Sequence, residues 1–128
     1  MPAKYNVIPR KNPQDRDAPP KYYASFVSSG RTSTRKMAER IAALSTVSSI
    51  DTLAVIEALL QVIPQELAEG NIIDLGEFGS FRLRVQSEGS DTAEEVTSRN
   101  IKKVKVQFYP GKEIKQTIEN TTFEKNSG

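Results

Sequence analysis

From Leu53 to Ile63 the chain offers only two polar residues, Glu57 and Gln61, one helical turn apart. Leu53, Ile56, Leu60, Ile63 and Leu67 recur at helical spacing, and Val55, Leu59 and Val62 widen the apolar stripe. The pattern predicts a helix from about Ser49 to Ala68. It opens at Ser48-Ser49-Ile50-Asp51, a capping-box-like start with Asp in place of Glu, and stops at Gly70. Pro64 removes one backbone donor inside it, so a kink is expected there. A helix apolar around most of its circumference has to be covered on most sides. The rest of a 128-residue chain supplies little cover, and a second subunit is the simplest source of more.

Ahead of this helix, Thr32 or Ser33 can cap a shorter one running through Arg35 to about Ser45, with Met37, Ile41 and Leu44 as its stripe and Ala38 and Ala42 beside them. After it, a turn holding Gly76 and Gly79 joins two strand patterns. Phe81, Leu83 and Val85 alternate with Ser80, Arg82 and Arg84; farther on, Val104, Val106 and Phe108 alternate with Lys103, Lys105 and Gln107. A strand with one apolar and one basic face packs on a core and turns positive charge outward. Two of them in one small sheet suggest a surface made for a polyanion. The segment from Gln86 to Asn100 is polar and acidic at Glu88, Asp91, Glu94 and Glu95, and Pro110-Gly111-Lys112 starts a short helix with Ile114 and Ile118 on one face. Residues 3–28 read as a hairpin with a long loop, its second strand the aromatic run Lys21-Tyr22-Tyr23-Ala24-Ser25-Phe26-Val27. Residues after about Thr122 are expected to fray.

The chain has no cysteine and no histidine. That removes thiolate chemistry and disulfides, the commonest general base and the commonest metal ligand. Asp74 with Glu77, or Glu94 with Glu95, could pair as acid and base, but no third ligand or nucleophile stands near them. No enzyme activity, catalytic residue, metal, cofactor or small-molecule substrate is expected. No apolar run approaches the roughly 20 residues of a membrane span, and the first residues hold no basic-then-apolar leader, so a cytoplasmic location is expected. The net charge of +2 hides a partition: nine bases against three acids in residues 1–40, none against six in 41–80, and nine against seven in 81–128. Distribution of charge, more than its sum, makes a nucleic-acid footprint. Arg10, Lys11, Arg16 and Lys21 could meet phosphates or serve as solubility charges of a loop. Arg31, Arg35, Lys36 and Arg40 could do the same or form the polar face of the first helix. Tyr22, Tyr23 and Phe26 could stack on bases or cover a core.

With the order helix, helix, hairpin, basic strand, short helix, the chain resembles the HU / integration host factor family of bacterial histone-like DNA-binding proteins from about Ser33 to about Asn120. Leu75-Gly76-Glu77-Phe78-Gly79-Ser80-Phe81 looks like the family's GFGTF turn with Glu77 at the first glycine. Glu66-Leu67-Ala68-Glu69-Gly70 looks like its end of helix two, and Phe108-Tyr109-Pro110-Gly111-Lys112-Glu113-Ile114 like the entry to its last helix. The resemblance implies an α+β fold: an intertwined homodimer with a two-helix base, a three-stranded antiparallel sheet with a β-arm, and a short C-terminal helix, here with an extra N-terminal β-hairpin. It implies an N-terminal extension over 1–30, an HU-like domain over 31–122 and a tail over 123–128. It places Leu53, Ile56, Leu59, Leu60, Ile63, Phe78 and Phe81 at the dimer interface. Duplex DNA, bound largely without sequence specificity, would meet Arg82, Arg84, Arg99, Lys102, Lys103 and Lys105 in the bacterial nucleoid.

Two features depart from the family. The arm candidate, Gln86–Lys102, has no proline at its tip and holds four acids. Since apolar wedges at arm tips kink the duplex, less bending is expected. The segment before Ser33 is absent from the shortest members and looks like that of the longer HU-related proteins of Bacteroides-type bacteria. The alternative function is protein–protein work through the N-terminal hairpin and the acidic arm.

Overall fold

A computed structural model describes residues 2–127. The chain divides into two units, Met1–Ser33 with Thr117–Gly128, and Thr34–Gln116.

The first unit is a mixed three-stranded sheet. β1 (Ala3–Arg10) pairs antiparallel with β2 (Lys21–Val27), Lys4 opposite Val27 and Arg10 opposite Lys21. This is the expected hairpin. The tail, expected to fray, instead forms β6 (Phe123–Lys125), which runs parallel to β1 with Ala3 opposite Phe123. Backbone bonds from Ala3 N to Thr122 O (2.9 Å) and from Asn126 N to Tyr5 O (2.8 Å) hold it, with Lys4 Nζ 2.7 Å from Glu124 Oε1. The non-local partner supplies what three residues alone cannot.

The second unit carries α1 (Thr34–Ala43), α2 (Ser49–Ala68), β3 (Ile73–Asp74), β4 (Gly79–Ser87), β5 (Ile101–Pro110) and the start of α3 (Lys112–Glu119). α2 takes the predicted bounds and runs on through Pro64. Ser48 caps it, its hydroxyl accepting from Asp51 N at 3.1 Å. At the far end Gly70 N donates to Leu67 O and Asn71 N to Glu66 O, a Schellman closure that satisfies two orphan carbonyls. β3, β4 and β5 form an antiparallel sheet in that order.

The turn before β4 is locked to the β5–α3 junction. Gly111 N donates to Phe78 O at 2.8 Å, and Leu75 N to Gly79 O at 2.9 Å. Gly79 has φ +143°, and a Cβ there would sit 2.5 Å from the Tyr109 carbonyl oxygen; a Cβ on Gly111 would collide with the Glu77 carbonyl. The obstacles are backbone atoms, which cannot step aside. Gly79→Ala should therefore destabilise by more than the roughly 1–3 kcal/mol of backbone strain alone. Gly89→Ala is the control, since nothing lies within 4 Å of its Cβ position. Thermal melts that coincide for the two variants would refute the packing role of Gly79.

Only Ala38, Thr52, Leu67 and Gly79 are buried among the described residues. On α1 the covered positions are Thr34, Ala38 and Ala42, while Met37, Ile41 and Leu44 stay exposed. Ala38, 1% exposed, lets the two helices approach. The apolar stripes read from the sequence are present but mostly uncovered within one chain.

Candidate nucleic-acid interface

The β4–β5 ladder sorts side chains by face. Phe81 stands opposite Phe108, Leu83 opposite Val106 and Val85 opposite Val104. On the other face Ser80 stands opposite Tyr109, Arg82 opposite Gln107, Arg84 opposite Lys105 and Gln86 opposite Lys103. The alternation seen separately in each strand thus falls in register, and Arg82, Arg84, Lys103 and Lys105 share one exposed face.

None of these four forms an ion pair among the described residues. Arg84 lies directly across from Lys105, a placement that opposes folding because like charges in cross-strand pairs repel. Arg82 is steadied differently: its guanidinium carbon is 4.7 Å from the centre of the Tyr109 ring, within the range of a cation–π contact. Tyr109 was not among the residues singled out from sequence. Its position two beyond Gln107, on the same face by strand parity, was the available signal.

Lys102 and Arg99 lie apart from this set. The register shifts between Gln86 and Ser87, leaving Lys102 as the extra residue of a bulge, with its Nζ 3.7 Å from Glu88 Oε2. Arg99 sits in a 3₁₀ turn, Ser98–Asn100, capped by the Thr97 hydroxyl. The ladder ends at Ser87 and Ile101. Between them the segment expected as an arm is folded on itself, with 3₁₀ turns at Ala93–Glu95 and Ser98–Asn100. Asn100 closes this loop: its Nδ2 donates to Glu88 O (3.0 Å) and Ser90 Oγ (2.8 Å), and its Oδ1 accepts from Thr97 N (2.9 Å). Glu88 N donates to Asn100 O at 2.8 Å. Thr97 three residues before Asn100 was a legible capping signal. Glu88, Asp91, Glu94 and Glu95 are all exposed on the loop.

The apolar residues expected at an interface fall in two places. Ile63 and Phe81 line one cleft of about 640 Å³, with Pro64, Leu67, Leu83 and Val106. Phe108 bridges Phe81 and Phe78, with ring centres 4.8 and 5.6 Å away. Leu53 and Ile56, half-buried, lie nearer the start of α2, and Leu59, Leu60 and Phe78 are exposed. No group of three or more acidic, cysteine or histidine side chains that could hold a metal occurs among the described residues. No described helix is long and apolar enough to cross a membrane.

Comparison with known proteins comes from two directions. A family model, HU-HIG, described as an HU domain fused to wHTH, Ig, or glycine-rich motif, matches residues 1–125. The fold is similar to the crystal structure of a protein from Bacteroides vulgatus ATCC 8482, provisionally described as a bacterial DNA-binding protein. The TM-score is 0.61 at 13% identity, over 96% of this chain and 47% of that one. The chain thus spans about half the length of that protein. No curated protein matches it.

Proposed function

The chain belongs to the HU-HIG family, and from that premise we propose that it is an architectural, non-enzymatic protein that binds duplex DNA. It acts as a homodimer on the bacterial nucleoid, largely without regard to sequence. The observation that carries this reading is the basic face of β4 and β5: four cations without ion pairs, two of them set directly against each other. A fold that only needed solubility would gain by placing a carboxylate across from Arg84. A phosphate chain supplies that missing anion from outside. The provisional description of the Bacteroides protein as DNA-binding points the same way.

Nothing on this face is arranged for the base code of the major groove. Phosphate contacts fix position and carry no sequence. Arg82, Arg84, Lys103 and Lys105 form the contact set. Lys102 adds less, because Glu88 competes for its ammonium, and Arg99 would act from the loop rather than the sheet. The loop in the arm's place offers neither a proline wedge nor a continuous ribbon, and its four acids oppose entry into a groove.

Titration of duplex DNA at several salt concentrations tests the proposal. The eight cations of the sheet faces in a dimer would contribute at most about −7 to the log–log slope, from roughly −0.9 per neutralised phosphate. Energy transfer across a short end-labelled duplex should report a shallow bend. A slope near zero would refute phosphate binding. A bend near a right angle would show that the acidic loop inserts after all.

A further inference from the structure

The first unit holds a second basic site that the sheet face does not explain. At the loop end of the β1–β2 hairpin a cavity of about 430 Å³ is lined by Arg10, Lys11 and Lys21, together with Tyr23, Asn12 and three small or ring residues of the loop. Three cations line it and no carboxylate does. Arg10 and Lys21 are directly opposed in the ladder, repeating the repulsive pairing of Arg84 with Lys105. None of the three forms an ion pair among the described residues. The Arg10 guanidinium lies 5.9 Å from the centre of the Tyr23 ring, and both residues line the cavity.

Neither acid of the loop, Asp15 or Asp17, lines the cavity or forms an ion pair among the described residues. Asp15 Oδ1 accepts from Asp17 N at 3.2 Å, and Asn12 Oδ1 from Gln14 N at 3.0 Å. A backbone bond from Asp15 N to Asn12 O (3.2 Å) closes the bridge between those two residues. These Asx-type turns shape the loop locally and leave the cations unpaired. Two like-charged pairs in two separate sheets, each without a counter-ion, point to the same kind of ligand.

We infer that the hairpin tip is a second phosphate-binding site, formed by Arg10, Lys11 and Lys21, which takes the phosphodiester backbone of nucleic acid. The inference rests on the DNA-binding reading above and extends it to an element outside the basic sheet face. Contact here is with phosphate alone, so it adds affinity equally for every sequence. It also gives the N-terminal unit a role independent of the other unit's surface.

The test uses the full chain and a fluorescein-labelled 20-base-pair duplex of random sequence, followed by anisotropy from about 50 to 200 mM salt. Arg10→Gln with Lys21→Gln removes two contacts per subunit and should make the salt slope shallower, by about 1.8 per subunit engaged. Affinity near 0.1 M salt should fall by more than about tenfold. The same variant should melt close to the parent, because removing a repulsive cross-strand pair offsets the loss of the Arg10–Tyr23 contact. This separates lost contact from lost folding. If the parent binds with its full slope and the variant binds identically, the hairpin site is overturned while the basic sheet face stands. If the parent binds no duplex at any salt concentration, both fall. A parallel variant carrying Arg82→Gln, Arg84→Gln, Lys103→Gln and Lys105→Gln together should retain a residual slope carried chiefly by the hairpin, and abolition of all salt dependence in that variant would also count against the second site.

Discussion

Leu60→Ala should destabilise this protein by about 2–5 kcal/mol, the range for a leucine truncated in a closed core. Within one chain the expectation is quite different. Leu60 is 51% exposed there, and exposed substitutions change stability by only about ±0.5 kcal/mol. The gap between the two values measures cover supplied by a second copy. A folded chain of this length that covered its own core would expose about 6,800 Å², whereas this one exposes 11044 Å². Residues expected at the interface add to it: Leu59, Leu60 and Phe78 are about half exposed, and the cleft between Ile63 and Phe81 is open. Obligate interfaces bury roughly 2,000–5,000 Å² in total, so the surplus is ample for one. Because folding and association would then be linked, the melting temperature should rise with protein concentration. Leu60→Asp, which would bury a charge, should leave no folded species at micromolar concentration. Sedimentation of the parent as a folded monomer, or a loss of only a few tenths of a kcal/mol for Leu60→Ala, would rule out the dimer.

The elements most legible in the sequence were those with a strong period. α2 was bounded to the residue because a serine cap, a long apolar run and a glycine stop agreed with one another. The two faces of β4 and β5 were readable strand by strand, and register then aligned them. What sequence missed depended on partners distant in the chain. β6 has three residues and no period of its own; only its pairing with Ala3–Tyr5 makes it a strand. Gln86–Lys102 is an arm candidate by resemblance alone, and nothing local signals that Asn100 ties the loop inside it by reaching residues ten and twelve positions away. Lys102 looked equivalent to Lys103 until a bulge brought it to Glu88. The Arg84–Lys105 opposition was invisible for the same reason: each strand alone shows only that it is basic.

Arg84→Glu should raise the stability of the sheet and weaken DNA binding together. A carboxylate placed across from Lys105 replaces repulsion with attraction, a cross-strand change of roughly 0.2–1 kcal/mol in favour of folding. The same change removes one phosphate contact per subunit and ties up the ammonium of Lys105 as a second. Two to four contacts are then lost per dimer, and the salt slope should become shallower by about 1.8–3.6. At about 0.1 M salt that amounts to a loss of roughly sixty- to several-thousandfold in affinity, alike for every duplex. Arg82 is the informative comparison, because its guanidinium is held on the Tyr109 ring and faces Gln107 rather than a like charge. Arg82→Glu should weaken binding while giving up the cation–π contact, so its melting temperature should fall where that of Arg84→Glu rises. Opposite signs for stability with the same sign for binding would identify the uncompensated charge on this face as kept for a ligand. Arg84→Glu binding DNA as the parent does would leave the basic sheet as a solvated surface and place the DNA contacts elsewhere on the chain.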